Sequence, residues 1–307
     1  MARKKNKSMR WQVEHELLAK LCIGQKKHEA KEKEKERIKG EHLVKGQKKK
    51  NKIKLDGIYS WSTYNSYKKH SIAFAEWVKK KFGCKTLESA KSHVQDYLNY
   101  RMSLNLSAWT IKLDANAIAK LYGVEAEELG IHTPDRRRKD IKRSRFDCKH
   151  DNHISKEKNK DLIGFCKGTG LRRHELAAVT PEDIKYEEDR LIVHVKQGKG
   201  GKQRVVQVLG EYYSYAEKYI GLPKSETIFK KIPKNLDIHG YRAEFACAWY
   251  KKLARPLENL TRKQKYYCKG DMKGIVYDKR AMIMVSKMLG HERINVIASN
   301  YLWKIMG

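Results

Sequence analysis

The chain of 307 residues lacks the features that define several protein classes. It has no apolar run approaching the roughly 18–20 residues that a membrane-spanning helix needs. Its first residues are basic, and polar sequence follows them instead of the apolar core of a signal peptide. The six cysteines are scattered without a Cys-x-x-Cys pair, which argues against a disulfide framework and a zinc ribbon. We therefore expect a cytoplasmic protein without a membrane partner.

Clusters of metal ligands are also scarce. Cys148, His150 and His153 form a short group, but a second set of ligands at a spacing typical of zinc sites does not accompany it. The sequence contains no carboxylate cluster of the kind that holds a catalytic Mg²⁺. We predict no metal and no other cofactor.

Acidic residues are few compared with basic ones. The chain has 68 lysines and arginines against 36 aspartates and glutamates, which gives a formal net charge of +32 and a pI near 9.8. Such an excess indicates a polyanionic partner, because each neutralised phosphate releases condensed counterions. Charge alone does not separate DNA from RNA or from an anionic membrane.

Residues 1–57 are predicted to be a basic N-terminal arm. The stretch has too few apolar residues to bury a core, apart from a short patch formed by Trp11, Val13, Leu17, Leu18 and Leu21. Its alternating Lys-Glu runs can form a lone exposed helix as readily as an arm that touches DNA.

Residues 58–130 are predicted to be a helical, DNA-binding domain. One apolar stripe runs from Tyr64 to Val78, and Gly83 ends that helix. A second helix is expected from a Thr86 cap, and a third from Ser107 to Tyr122. Helices this short need to pack together to be stable.

Residues 131–147 are predicted to be a basic linker, because Pro134 interrupts helix formation and a run of cations follows it. The candidate DNA-binding residues are Arg136, Arg137, Arg138, Lys142, Arg143 and Arg145, together with Lys202 further along the chain.

Residues 148–307 are predicted to be a mixed, catalytic domain. Strands at 190–196 and 204–208 flank a glycine-rich turn that contains Lys199, which predicts a β-hairpin. Helices are expected at 156–167, 171–179, 238–253, 279–289 and 293–303. The fold class is therefore mainly α with a small antiparallel β-sheet.

The second half of the chain contains four motifs in a fixed order. Residues 169–175 match Thr-Gly-x-Arg-x-x-Glu, with Arg172 and Glu175 at the charged positions. At about 5–7% usage each, four fixed residues arise by chance at roughly one start position in 10⁵. His239-x-x-Arg242, Leu-Gly-His291 and Tyr301 follow, and each of these is weak by itself.

These residue types suit cleavage of a phosphodiester. Arginine forks such as Arg172 and Arg242 neutralise non-bridging oxygens with paired hydrogen bonds. His239 and His291 can bond a phosphate oxygen or exchange a proton near neutral pH. Tyr301 is the candidate nucleophile, since nearby cations stabilise a developing phenolate.

Lys199 at the hairpin tip is the preferred acid for the departing 5′-oxygen, with Lys202 as its competitor. Glu175 is expected to orient Arg172 or to pack its helix.

The ordered set resembles the tyrosine recombinase family of phage-integrase type, over roughly residues 58–307. The resemblance implies a two-domain clamp around double-stranded DNA and a 3′-phosphotyrosine intermediate that is resealed without ATP. It implies a tetramer of the chain on paired sites, with a DNA-bending accessory factor as a further candidate partner, and a role in integrating or excising a mobile element. By correspondence, the six active-site positions fall on Arg172, Lys199, His239, Arg242, His291 and Tyr301. The segment between Arg242 and His291 is long for the family, and residues 251–273 within it form a candidate DNA-contacting insertion.

Two other functions remain open. A non-catalytic nucleic-acid-binding protein would account for the charge alone. An enzyme similar to type IB topoisomerases would share the chemistry but would relax supercoils without pairing two sites.

Overall fold

The computed structural model describes residues 7–40, 53, 55–141, 151–198, 201–223 and 226–305. The chain divides into two compact units, Met1–Arg136 and Arg137–Gly307. Helices dominate the described residues, and the antiparallel sheets are small, which confirms the predicted mainly α class. The candidate residues Lys142, Arg143, Arg145, Cys148, His150 and Lys199 lie outside the described residues. Across the described ranges, the helices are too short or too polar to cross a membrane.

The first unit is built from helices. They are α1 (Met9–Leu18), α2 (Lys27–Gly40), α3 (Trp61–Phe82), α4 (Leu87–Ala90), α5 (Val94–Ser103) and α6 (Ala108–Tyr122). Ser60 and Ser107 cap α3 and α6 with their hydroxyls, and Gly83 and Gly123 end them at φ +69° and +68°. The predicted bounds of α6 and the predicted end of α3 at Gly83 are confirmed. The second predicted helix is broken by a 3₁₀ turn at Lys91–His93 into α4 and α5.

Helix α1 contributes to the core of the first unit. Met9, Val13 and Leu17 are buried together with Phe74 of α3 and Ile118 of α6. The expectation that residues 1–57 bury no core is therefore wrong for α1. An i, i+4, i+8 stripe of apolar residues is enough to dock a helix, even where the average composition is polar. By contrast, no described side chain of α2 is buried, as the lone-helix alternative predicts.

A buried carboxylate joins three helices of the first unit. Asp114 of α6 is fully buried and accepts hydrogen bonds from His70 of α3 and from Arg101 Nε of α5 at 3.0 Å. A buried charge is tolerated only when it is paired and hydrogen-bonded. The contact therefore fixes the relative register of α3, α5 and α6.

We predict that Asp114→Asn lowers the free energy of unfolding by about 3 kcal/mol, since removing one partner leaves the others uncompensated. Asp96→Asn is the matched control, because Asp96 forms an exposed pair with His93, and it should cost less than about 1 kcal/mol. Urea unfolding of both variants measures the two losses. Equal losses would contradict the assigned role.

The second unit combines helices with two small sheets. Its helices are α7 (Lys160–Thr169), α8 (Arg173–Leu176), α9 (Tyr213–Glu217), α10 (Ile238–Leu253), α11 (Lys279–Met288) and α12 (Asn295–Asn300). Strands β1 (Ile184–Glu187), β2 (Arg190–Val195) and β3 (Arg204–Gln207) form one antiparallel sheet in that order. Strands β4 (Lys265–Tyr267) and β5 (Val276–Asp278) form the other.

The β2–β3 hairpin agrees with the prediction, and β1, β4 and β5 were not predicted. The helix expected at 171–179 is shorter, because α8 covers only Arg173–Leu176.

Gly170 controls how α7 meets α10. It ends α7 at φ +59°, and a Cβ at this position would lie 2.5 Å from Cδ1 of the buried Phe245. Only glycine allows both the left-handed turn and this close packing. The turn therefore brings Arg172, two residues later, against the face of α10 that carries Arg242.

Candidate active site

Four of the six candidate catalytic residues form one hydrogen-bonded network. Arg242 of α10 donates from Nε to the Tyr301 hydroxyl at 3.2 Å. His291 Nε2 lies 3.1 Å from the same hydroxyl and 3.4 Å from Nη2 of Arg172. These residues are separated by up to 129 positions in the sequence, from Arg172 to Tyr301. The fold thus collects two guanidinium groups and an imidazole around one phenol.

His239 lies beside this network. It is one helical turn before Arg242 on α10, and its ring centroid is 5.4 Å from that of Tyr301. The Arg242 guanidinium carbon is 5.5 Å from the centroid of the Tyr301 ring, within the range of a cation–π contact. The phenol is therefore surrounded by groups that stabilise negative charge.

A cavity of about 720 Å³ opens at this network. Cations form much of its wall, and Asp237 is its carboxylate, which caps α10 by accepting from Gly240 N at 3.0 Å. The lining includes Arg172, Arg173, Lys234, His239 and Arg242. A cavity with this balance of charge favours an anionic ligand.

Backbone carbonyls at the end of α11 hold the arginines in place. Leu289 O accepts from Nη2 of Arg172 at 3.1 Å and also from Nη2 of Arg242. Met288 O accepts from Nε of Arg204 at 2.8 Å. The C-terminal end of a helix carries partial negative charge, so it offsets the repulsion between these cations.

Arg204 is a site residue that the sequence analysis missed. It lies at the start of β3 and donates to both carboxylate oxygens of Glu175, at 2.8 and 2.7 Å. Glu175 also accepts from the backbone N of Arg172 at 2.8 Å and from its Nη1 at 2.9 Å. The carboxylate therefore orients Arg172 from one side and Arg204 from the other.

The charge state of the site follows from these contacts. Burial raises the pKa of Glu175, but hydrogen bonds from Arg204 and Arg172 outweigh it and hold that pKa at about 2. Burial lowers the pKa of Arg242 to about 10, so the group remains a cation near neutral pH. The site has three guanidinium groups, and among the described residues the only carboxylate bonded to them is the ionised Glu175, which leaves a surplus of positive charge.

Arg173 has a structural role that the sequence did not indicate. Instead of lying free on a helix surface, it donates to the carbonyls of Pro233, Lys234 and Leu236 at 2.9, 3.1 and 3.0 Å. These residues form the loop before α10, and Lys234 and Leu236 line the cavity. Arg173 thus shapes the wall that leads to His239.

The other candidates that fall within the described residues do not join the network. Lys202 is exposed and pairs with Glu292. Arg136 and Arg137 are exposed, and Arg138 pairs with Asp271 at 2.8 Å. Among the described residues, no three His, Cys, Asp or Glu side chains are grouped as metal ligands.

We predict that Glu175→Gln destabilises the protein in a pH-dependent manner. The folded pKa of about 2 lies below the ordinary value of 4.5. The ionised carboxylate therefore contributes about 3 kcal/mol above its ordinary pKa, and this contribution is lost as the pH falls towards 2. The stability difference between wild type and variant should be large at neutral pH and should shrink in acid, as measured by thermal unfolding.

Glu211→Gln is the control, since Glu211 is exposed, and its small effect should not follow this pH course. A Glu175→Gln difference that stays constant from neutral pH down to about pH 2 would contradict the assigned pairing.

The chain matches no protein-family model and no curated protein. It is similar to the solved structure of the XerH site-specific recombinase in a post-cleavage complex with a palindromic difH substrate. The identity is 17% over 96% of this chain and 90% of that chain, with a TM-score of 0.49.

The Tn1549 transposon integrase in complex with circular intermediate DNA is 14% identical over 87% of this chain and 93% of that chain, with a TM-score of 0.47. XerA recombinase is 17% identical over 90% of this chain and 94% of that chain, with a TM-score of 0.31. These three solved structures are thus a site-specific recombinase, a transposon integrase and a recombinase.

Proposed function

We propose that the chain is a site-specific tyrosine recombinase, an enzyme that cleaves and rejoins double-stranded DNA through Tyr301. The observation that carries the proposal is the contact of the Tyr301 hydroxyl with Arg242 at 3.2 Å and with His291 at 3.1 Å. Together with the cationic cavity beside it, this contact supplies a nucleophile and an anion site within one unit. Those are the two requirements for attack on a phosphodiester.

The scissile phosphate binds between Arg172 and Arg242. A guanidinium has five N–H donors, and the bonds to Leu289 O, Gly170 O, Glu175 and Tyr301 use only some of them. The remaining donors are available to the non-bridging oxygens. The two arginines are already fixed by these protein contacts, so little reorganisation is needed when negative charge develops.

In the cleavage step, the Tyr301 oxygen forms a bond to phosphorus and the bond to the 5′-oxygen breaks. The phenolic proton passes to His291, in the tautomer whose Nε2 is unprotonated. The product is a 3′-phosphotyrosine with a free 5′-hydroxyl. Since one phosphoester replaces another, a 5′-hydroxyl can reverse the step and reseal the strand without ATP. His239 donates a further hydrogen bond to the phosphate.

The departing 5′-oxygen receives its proton from Lys199. Gly198 N donates to Lys202 O at 2.9 Å and closes the base of the turn that contains Lys199. Arg204, at the start of β3, pairs with Glu175. The turn therefore begins and ends next to the cluster formed by Arg172, Arg204 and Arg242. Lys202, which pairs with Glu292, is the alternative acid.

The resemblance of the motifs to the tyrosine recombinase family supports a wider role in DNA recombination. The two units act as a clamp on DNA, with the cations of residues 131–147 contacting the backbone. Four copies of the chain pair two sites, with the help of a DNA-bending factor, and integrate or excise a mobile element.

Replacement of the nucleophile gives the most direct test of the chemistry. We expect Tyr301→Phe to bind DNA normally and to form no covalent adduct, because phenylalanine has no oxygen that can attack phosphorus. Adducts are captured in detergent from a pool of nicked duplexes of randomised sequence, and mass spectrometry locates the modified residue. Tyr186→Phe, which removes an exposed hydroxyl on β1, should behave like wild type. An adduct that persists in Tyr301→Phe would refute the assignment.

We expect Arg242→Lys to slow adduct formation by about 10²–10³-fold, the usual effect of losing one donor that stabilises the transition state. Lysine keeps the charge but cannot reproduce the fork that contacts Tyr301, Gly170 O and Leu289 O. Arg190→Lys changes an exposed arginine paired with Glu188 and should leave the rate unchanged. A rate for Arg242→Lys within about twofold of wild type would remove Arg242 from the mechanism.

A further inference from the structure

Residues 262–273 carry uncompensated positive charge. This segment contains five cations and a single carboxylate, Asp271, which is already paired with Arg138 at 2.8 Å. The cations are Arg262, Lys263, Lys265, Lys269 and Lys273. No carboxylate of the described residues lies within ion-pair distance of any of these five side chains.

Several other lysines of the second unit differ in this respect. Lys185 pairs with Glu187 at 3.0 Å, Lys196 with Asp183 at 2.8 Å, and Lys218 with Asp161. The five cations of residues 262–273 therefore differ from these three lysines, whose charge is offset by a carboxylate.

The segment is exposed but held in one shape. Strand β4 pairs with β5, Cys268 N donates to Ile275 O at 2.9 Å, and Cys268 and Met272 are buried. At the base of the hairpin, Asp278 accepts from Arg255 Nε at 2.9 Å and from Arg255 Nη2 at 3.0 Å. A surface that is already ordered loses little entropy when a ligand binds to it.

An exposed aromatic ring lies among the cations. Tyr266 is opposite the buried Tyr277, so the alternation of a strand places Lys265 and Tyr267 on the other face. Tyr267 is 48% exposed. Tyr267 and Lys269 also line a cavity of about 370 Å³, together with Asn295 and Ser299 of α12. Cations next to an exposed tyrosine and hydrogen-bonding side chains suit a sugar–phosphate backbone.

We propose that this hairpin surface, formed by Arg262, Lys263, Lys265, Tyr267, Lys269 and Lys273, binds the backbone of duplex DNA outside the cleaved linkage. The inference rests on the proposed function, which makes DNA the partner. It also rests on position: α12 forms a wall of the 370 Å³ cavity and ends at Tyr301, and a six-residue helix is only about 9 Å long. A duplex attacked by Tyr301 therefore passes within reach of the hairpin surface.

The salt dependence of DNA binding tests the proposal. The variant is the triple substitution Lys265→Gln, Lys269→Gln and Lys273→Gln, which keeps much of each side chain and removes its charge. The probe is a fluorescein-labelled duplex of arbitrary sequence, since backbone contacts do not depend on sequence. The slope of log K against log salt concentration should fall in magnitude by about 0.9 for each lost phosphate contact, roughly 2–3 in all.

The matched control removes the same charge at lysines that are already paired, with Lys185→Gln, Lys196→Gln and Lys218→Gln. Its slope should equal that of wild type. If both triple variants lower the slope equally, the effect is one of net charge and the proposal is overturned. If neither variant lowers it, DNA does not contact the surface and the proposal is likewise overturned, which leaves an acidic protein as the partner to be sought.

Folding and catalysis are followed separately. Thermal unfolding checks the triple variant, and if it is unstable, Lys269→Gln with Lys273→Gln at two exposed positions should still lower the slope by roughly 2. If wild type forms no adduct at all, the proposed chemistry fails while the salt slopes still decide whether the hairpin surface binds DNA.

Discussion

The carbonyl end of α11 is the constraint on which the rest of the site depends. Met288 O and Leu289 O accept hydrogen bonds from Arg204, Arg172 and Arg242. Three guanidinium groups repel one another in a partly buried setting, where the effective dielectric constant is lower than in water. A helix C-terminus supplies partial negative charge without adding a carboxylate. The cations are thereby held close together while their combined charge stays positive.

Glu175 completes this balance from the opposite side. Its two oxygens bind Arg204 and Arg172, and its low pKa keeps it ionised over the physiological range. One carboxylate orients two arginines, so it stabilises the cluster without neutralising it. A second carboxylate at the same place would remove the surplus charge that an anionic substrate needs. This arrangement explains why a strongly basic chain still requires a buried acid at the centre of its site.

Much of the site could be predicted from the sequence, because the side chains that the proposed chemistry needs stand in short motifs in a particular order. Arg172, Arg242, His291 and Tyr301 were nominated from their motifs, and they meet in the structure. Arg204 could not be found in this way, because it lies in no motif itself and its partners, Glu175 and a backbone carbonyl, are distant from it in sequence. The same holds for Arg173, whose partners are four carbonyls of one loop.

The fold, like the site, was predicted only in part. Helix α6 was predicted with both of its ends and α3 with its C-terminal end, since a serine cap and terminal glycines are local signals. The packing of α1 was missed, because the charged residues between its three buried residues lower the average hydrophobicity of the segment. Strands β4 and β5 were missed because three-residue strands have no measurable period. Local signals are readable from the sequence, whereas contacts that depend on tertiary packing are not.

The most direct measurement is a structure of the chain trapped on a nicked duplex that prevents resealing. We expect a covalent bond between the Tyr301 oxygen and a 3′-phosphate. N–H groups of Arg172 and Arg242 should lie within hydrogen-bonding distance of the non-bridging oxygens of that phosphate. A phosphate bound to another residue, or one that neither Arg172 nor Arg242 contacts, would contradict the proposed cleavage mechanism.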